Sequence, residues 1–277
     1  MTPDKIAYMS VTPDVNGPMP LSWVADLDTV MPAIKSLGYT GIELQTREPT
    51  AFDWKATRKK IDDAGLTIVG ISTGPIGIED GLYICHKDAD GRKRAIERYK
   101  TVLDLAGEWG VDSSIGGFRG RASMMESRAA ALDYFRQTVG ELATYAKGKG
   151  RRIVLEPQNR INTDFLMTMA ETVEFIQSME RDGIDNLVLE ADMFHQALEE
   201  KSIPAAMVTA RPYLAHVQLG DSNRLAPGQG FLPWRDIIET LRALKYDAWL
   251  SMEFTQKPDS PTCARQAIEF IRPLVTW

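Results

Sequence analysis

Four short apolar runs in the second half of the chain end in side chains able to hold a cation or move a proton. The run from Arg152 ends in Glu156 and continues Pro157-Gln158-Asn159-Arg160. The run from Asn186 ends in Glu190-Ala191-Asp192, followed by Met193-Phe194-His195. The run from Leu214 carries His216 and Gln218 and leads into Gly220-Asp221-Ser222-Asn223-Arg224, and the run from Ala248 ends in Glu253. Side chains alternate along a strand, so Glu190 shares a face with Asp192, and His216 with Gln218. One carboxylate at a strand end reads most simply as a helix cap or surface group. One strand histidine reads as a hydrogen-bonded core residue. Three carboxylates and a neutral O or N donor from four successive strands instead make a divalent-cation site. An oxygen-rich set favours Mn²⁺ or Mg²⁺, whereas a histidine ligand raises the odds of Zn²⁺ or Co²⁺.

The elements that must position these residues form a repeating alternation. Short apolar runs begin near Lys5, Gly41, Leu66, Val111, Arg152, Asn186, Leu214 and Ala248. Most follow a turn signal such as Leu37-Gly38-Tyr39, Ala64-Gly65 or Asp182-Gly183, and glycine just past a periodic stretch ends a helix. Apolar residues at helical spacing predict helices over 25–37, 55–64, 90–109, 128–146, 168–179, 203–210, 234–244 and 261–274. Eight βα units in 277 residues, with no linker or composition shift, predict one domain over 1–277, a (β/α)8 TIM barrel of the α/β class. An open doubly wound sheet would put a glycine-rich turn after the first strand, where Ser10-Val11-Thr12-Pro13 stands instead. In a barrel, polar residues at the C-terminal strand ends are the active-site candidates.

Other residues carry weaker signals. Glu43 faces the barrel interior if Ile42 and Leu44 face the helices; it and Gln45 then belong to the site or to a buried polar network. The segment from Gly116 to Arg121 is glycine-rich and basic. Arg119 and Arg121 there either hold an anionic substrate group or are solvated on a flexible loop. Trp234 reads as a packing residue, and His86, in a long loop, carries no role.

Composition removes several classes. With 32 basic and 38 acidic side chains the net charge is −6, and a pI near 5.3 opposes binding to nucleic acid or an anionic membrane. Cys85 and Cys263 form no CxxC pair, which excludes a disulfide scaffold and a cysteine zinc site and points to a reducing, cytoplasmic compartment. The N-terminus leads to no apolar h-region, and no run of about 18 apolar residues predicts a membrane span.

From Glu156 to Glu253 the sequence resembles the sugar isomerase/epimerase superfamily with the xylose-isomerase-like barrel, most closely the ketose 3-epimerases. Asp192-Met193-Phe194-His195 is similar to that family's Asp-x-Phe-His. The run from Leu219 to Gly230 is similar to its loop after strand seven, and Ser251-Met252-Glu253 to its terminal Met-Glu. The resemblance implies a metal site on Glu156, Asp192, Gln218 and Glu253. Relatives place a histidine where Gln218 stands, and an amide oxygen is a weaker ligand. Mn²⁺ is therefore the expected cofactor, with Mg²⁺ or Co²⁺ as alternatives. Ketose 3-epimerases also carry a glutamate where Asn162 stands, which together with Arg119 and Arg121 shifts the expected substrate away from a free ketohexose.

By the same resemblance, the cation stabilises the enediolate left when an α-proton departs. Glu156 and Glu253 lie on opposite sides of the substrate, one removing the proton and the other delivering one. His195, Arg224, Asn162, Arg119 and His216 form the expected substrate-binding set. The alternative activity is elimination on an inosose or a 3-keto-glycoside. Endonuclease IV shares the barrel but needs more than the three histidines present. A non-catalytic barrel would fit the absent strand-seven histidine, yet both glutamates are retained. The expected partner is a small sugar, with no nucleic acid or membrane. Relatives are often dimers or tetramers, so self-association is expected.

Overall fold

The computed structural model describes residues 5–275. Eight parallel strands close into a barrel in sequence order: β1 (Ile6–Val11), β2 (Gly41–Gln45), β3 (Thr67–Ser72), β4 (Ser113–Ile115), β5 (Ile153–Leu155), β6 (Leu187–Asp192), β7 (Leu214–Leu219) and β8 (Leu250–Met252). The predicted barrel is therefore the observed one. Around it run α1 (Leu27–Leu37), α2 (Trp54–Asp63), α3 (Gly74–Asp80), α4 (Ala89–Trp109), α5 (Arg128–Gly148), α6 (Met169–Arg181), α7 (Met193–Glu199), α8 (Ile203–Ala210), α9 (Trp234–Ala243) and α10 (Ser260–Val275).

The helices form where the sequence supplies an apolar stripe with proper ends. In α1, Leu27, Val30, Met31 and Ile34 are buried at helical spacing. Gly38 ends it at φ 91°, its N–H reaching the carbonyls of Ile34 and Lys35. In α6, Thr168 and Glu171 form a reciprocal capping box. Two helices, α3 and α7, were not expected. Each has seven residues, too few to show a 3.6-residue period. The second starts where Asp192 Oδ1 accepts the Phe194 N–H at 2.9 Å, so one carboxylate ends β6 and caps α7.

Strand alternation divides the barrel chemically. Ile42, Leu44, Leu189, Ala191, Val217 and Leu219 belong to the apolar cluster between sheet and helices. Their neighbours Glu43, Glu190, His216 and Gln218 are thereby left inside the barrel, all buried. Register shifts occur at Ile42/Glu43 between β2 and β3, and at Leu189/Glu190 between β6 and β7. Such bulges re-aim side chains and cluster beside functional sites. Among the described residues no helix is long and apolar enough to cross a membrane. Cys85 and Cys263 are free and buried.

Candidate active site

A cavity of about 470 Å³ opens at the C-terminal strand ends, lined by Glu156, Asn162, His195, Gln218, Arg224 and Glu253 among others. Glu156 and Glu253 stand just beyond β5 and β8, and Asp192 is the last residue of β6. All three carboxylates are buried.

Glu156 is held as a hydrogen-bond acceptor. Its Oε2 takes the Gln158 amide at 2.8 Å, and its Oε1 lies 3.3 Å from His195 Nε2. The other ring nitrogen of His195, Nδ1, faces the Asn159 side-chain amide at 2.7 Å and the Asn159 N–H at 3.4 Å. A backbone N–H can only donate, so Nδ1 accepts and the neutral ring carries its proton on Nε2, toward Glu156. The Glu156 carboxylate packs directly on Gly116, where a Cβ would come within 2.0 Å of Oε2 and 2.9 Å of Gln158 Nε2. Gly116→Ala is thus expected to displace Glu156, lowering kcat by about 100-fold. The overpacking should cost about 1–3 kcal/mol of stability, read by steady-state kinetics beside thermal melting.

Arg224 bridges the other two carboxylates. Its Nη1 donates to Asp192 Oδ2 and its Nη2 to Glu253 Oε2. Its guanidinium also stacks 4.8 Å over the Phe194 ring. Arg224 adopts φ 60°, an uncommon conformation for a residue with a side chain. Asp221 stabilises this loop. One of its oxygens takes the Ser222 and Leu232 N–H groups at 2.8 and 3.2 Å. The other takes the Gly228 N–H at 2.8 Å and the Trp234 indole N–H at 2.7 Å. Trp234 is buried as predicted, and this bond adds a second role.

These contacts push the carboxyl groups apart. Burial raises Glu253 well above the usual carboxylate range, with Asp192 and Glu156 adding to the rise against the pull of Arg224. Burial acts on Asp192 in the same direction, but Arg224 and His195 outweigh it and keep Asp192 below its ordinary value. The two carboxyl groups that share Arg224 are thus shifted in opposite directions.

Below the cavity floor, Glu43 organises a polar layer. Its carboxylate accepts from Ser72 Oγ at 2.5 Å and Gln218 Nε2 at 3.0 Å, and pairs with His216 Nε2 at 2.9 Å. Because a carboxylate only accepts, the Gln218 amide must turn its nitrogen to Glu43. That leaves Gln218 Oε1 buried without a partner. This orphaned oxygen, on a residue that shares the cavity lining with Glu156 and Glu253, suits a hard divalent cation. Glu156, Asp192 and His195 each offer a ligand atom, all within 4.8 Å of one another.

Most predicted site residues therefore meet. Asp192, Arg119, Arg121 and His216 do not line the cavity. Arg119 is buried with its guanidinium turned to the carbonyls of Gly116, Phe165 and Leu166 at 3.0–3.3 Å. It holds these loops together, while its Nη2 is buried without a hydrogen-bond partner. Arg121 likewise binds the Ile161 carbonyl. His216 lies one layer deeper than expected, on Glu43, which is a buried polar-network member. Gln158 and Asn159, which orient Glu156 and His195, were missed; their only sequence signal was position directly after a strand-end glutamate.

A closed parallel barrel with buried carboxylates at its C-terminal strand ends is a TIM barrel with its polar groups on the face where such enzymes place their active sites. The chain belongs to the xylose isomerase-like TIM barrel family, which it matches over residues 31–274. It is similar to D-psicose 3-epimerase of Agrobacterium fabrum, with 27% identity over 238 residues, 83% of this chain and 80% of that protein. It is also similar to 3-dehydro-D-guloside 4-epimerase of Escherichia coli, with 28% identity over 246 residues, 86% of this chain and 91% of that protein. The fold superposes on D-psicose 3-epimerase from Clostridium cellulolyticum H10 with a TM-score of 0.77 at 21% identity, covering 97% of this chain and 99% of that one.

Proposed function

We propose that this protein epimerises a ketose or a keto sugar derivative, using Glu156 and Glu253 to exchange a proton across a bound substrate. The observation that carries this reading is the contrast between the two carboxyl groups on the cavity wall. Glu156 accepts from Gln158 and faces the His195 Nε2 proton, the setting of a base. Glu253 is buried on the same wall, and burial raises its carboxyl above the ordinary range, the direction that suits an acid. Relatives named as sugar epimerases support the reaction class.

Glu156, Asp192, Glu253 and the free oxygen of Gln218 would hold the cation, with Mn²⁺ as the expected ion. When bound, it supplies Lewis-acid stabilisation of negative charge on a substrate oxygen. Glu156 takes the proton from the carbon next to the carbonyl, and Glu253 delivers its own to the opposite face. Arg224 and His195 donate toward the oxygen on which charge develops. Asn162 contributes a neutral amide to the cavity wall, where the ketose 3-epimerases that the sequence resembles carry a carboxylate. The free, buried Cys85 and Cys263 support a reducing cytoplasmic setting.

The test is to incubate the Mn²⁺-loaded protein with ketoses, inososes and 3-keto-glycosides and identify products by NMR. An epimer with an intact carbon and oxygen skeleton is expected, and activity should vanish after chelation. An unsaturated product would instead establish elimination.

A further inference from the structure

The layer beneath the cavity has features that epimerisation does not use. Glu43, Glu190 and His216, all buried, offer ligand atoms within 4.8 Å of one another. Glu190 is 1% exposed, and its Oε1 has no hydrogen-bond partner. A buried carboxyl oxygen without a partner is costly and calls for a ligand. Both glutamates sit at the register shifts of their strands, so the backbone departs from regular pairing where it aims them inward.

Space and access are also present. A second cavity of about 160 Å³ borders Glu43, Glu190 and His216 on the side of Trp249, toward the N-terminal strand ends. Glu190 and Ser114 line both cavities, which gives a polar path between them.

Charge points the same way. Glu43, Glu156, Glu190, Asp192 and Glu253 are five buried carboxyl groups inside one barrel. Among the described residues, Arg224 is the guanidinium hydrogen-bonded to any of them. So many buried acidic groups around one guanidinium make a setting that a bound cation would relieve.

We propose that Glu43, Glu190 and His216 form a second divalent-cation site beneath the active site. Two carboxylates and an imidazole, with water in the adjoining cavity completing the shell, suit a borderline ion such as Zn²⁺ or Co²⁺. The upper, oxygen-rich set differs in preferring a harder ion. Two chemically distinct sites then stack along the barrel axis, and the lower one fixes the Glu43 carboxylate that orients Gln218.

Metal stoichiometry tests this on the full chain, stripped with chelator, loaded with Co²⁺ and measured by elemental analysis and visible absorption. Wild type is expected to hold two ions, and Glu190→Gln and Asp192→Asn one each. Glu190→Gln should also lose the absorption of the imidazole-ligated ion. As a check that needs no variant, protein carrying one equivalent of Mn²⁺ should take up one Zn²⁺ without releasing Mn²⁺ to solution, read by electron paramagnetic resonance. Two ions retained in Glu190→Gln would overturn the lower site. So would a single wild-type ion unaffected by that substitution, or release of Mn²⁺ by the first equivalent of Zn²⁺. A single ion lost in Glu190→Gln but kept in Asp192→Asn would support the lower site while removing the upper one. The two proposals therefore fail separately.

Discussion

Glu156→Gln and Glu253→Gln are each expected to lower kcat by about 10³-fold while the protein stays folded. General acid–base groups contribute about 10²–10⁴-fold, and an amide can neither take nor give the proton at this position. The consequences for folding differ between the two. Burial shifts the Glu253 carboxyl toward its neutral form, so a neutral amide of the same shape is the milder change there. Glu156 accepts from Gln158 and faces His195 Nε2. An amide there keeps one acceptor oxygen and turns an NH₂ toward one of those donors, a cost of about 1–3 kcal/mol. Steady-state kinetics beside circular dichroism reads both effects. Wild-type turnover in either variant would remove the proton-transfer assignment.

The second large effect is expected at Arg224. Its guanidinium lies between Asp192 and Glu253, which are also proposed cation ligands. Removing one partner of a buried ion pair costs about 3–5 kcal/mol. The upward shift of Glu253 under burial eases that repulsion and places Arg224→Met near the lower end. For a chain of this size such a loss lowers Tm by about 6–12 °C. A divalent cation on the same carboxylates should restore part of the fall, since a ligand at 100 times its Kd stabilises by about 2.7 kcal/mol. Thermal melting of Arg224→Met with and without Mn²⁺ is the measurement. An equal Tm deficit under both conditions would show that guanidinium and cation do not share these carboxylates. On the proposed role of Arg224 as a donor toward the reacting oxygen, kcat/KM should fall by about 100-fold even with saturating Mn²⁺.

The barrel was legible because each strand is a short apolar run bounded by a turn signal, as at Gly38 before β2 and Gly183 before β6. The site carboxylates were legible because they close such runs. What the sequence hides are pairings set by closure of the barrel. Glu43 meets His216 across 173 residues of chain. Neither residue alone distinguishes a cavity wall from the layer beneath it. Arg119 shows a related limit: a basic, glycine-rich segment does not reveal whether its guanidinium turns to substrate or to the carbonyls of Phe165 and Leu166. The cavity lining also draws on Pro20, Leu21 and Ile78, from a loop and a seven-residue helix with no readable period.

The most direct test of the central claim is the fate of the substrate proton. With Mn²⁺-loaded wild-type protein in D₂O and an active ketose or keto sugar, the epimer is expected to carry one solvent deuterium at the inverted carbon, with the skeleton unchanged. Glu156→Gln should show no deuterium entry above background. Inversion without deuterium, or undiminished deuterium entry in Glu156→Gln, would contradict proton exchange through this carboxylate.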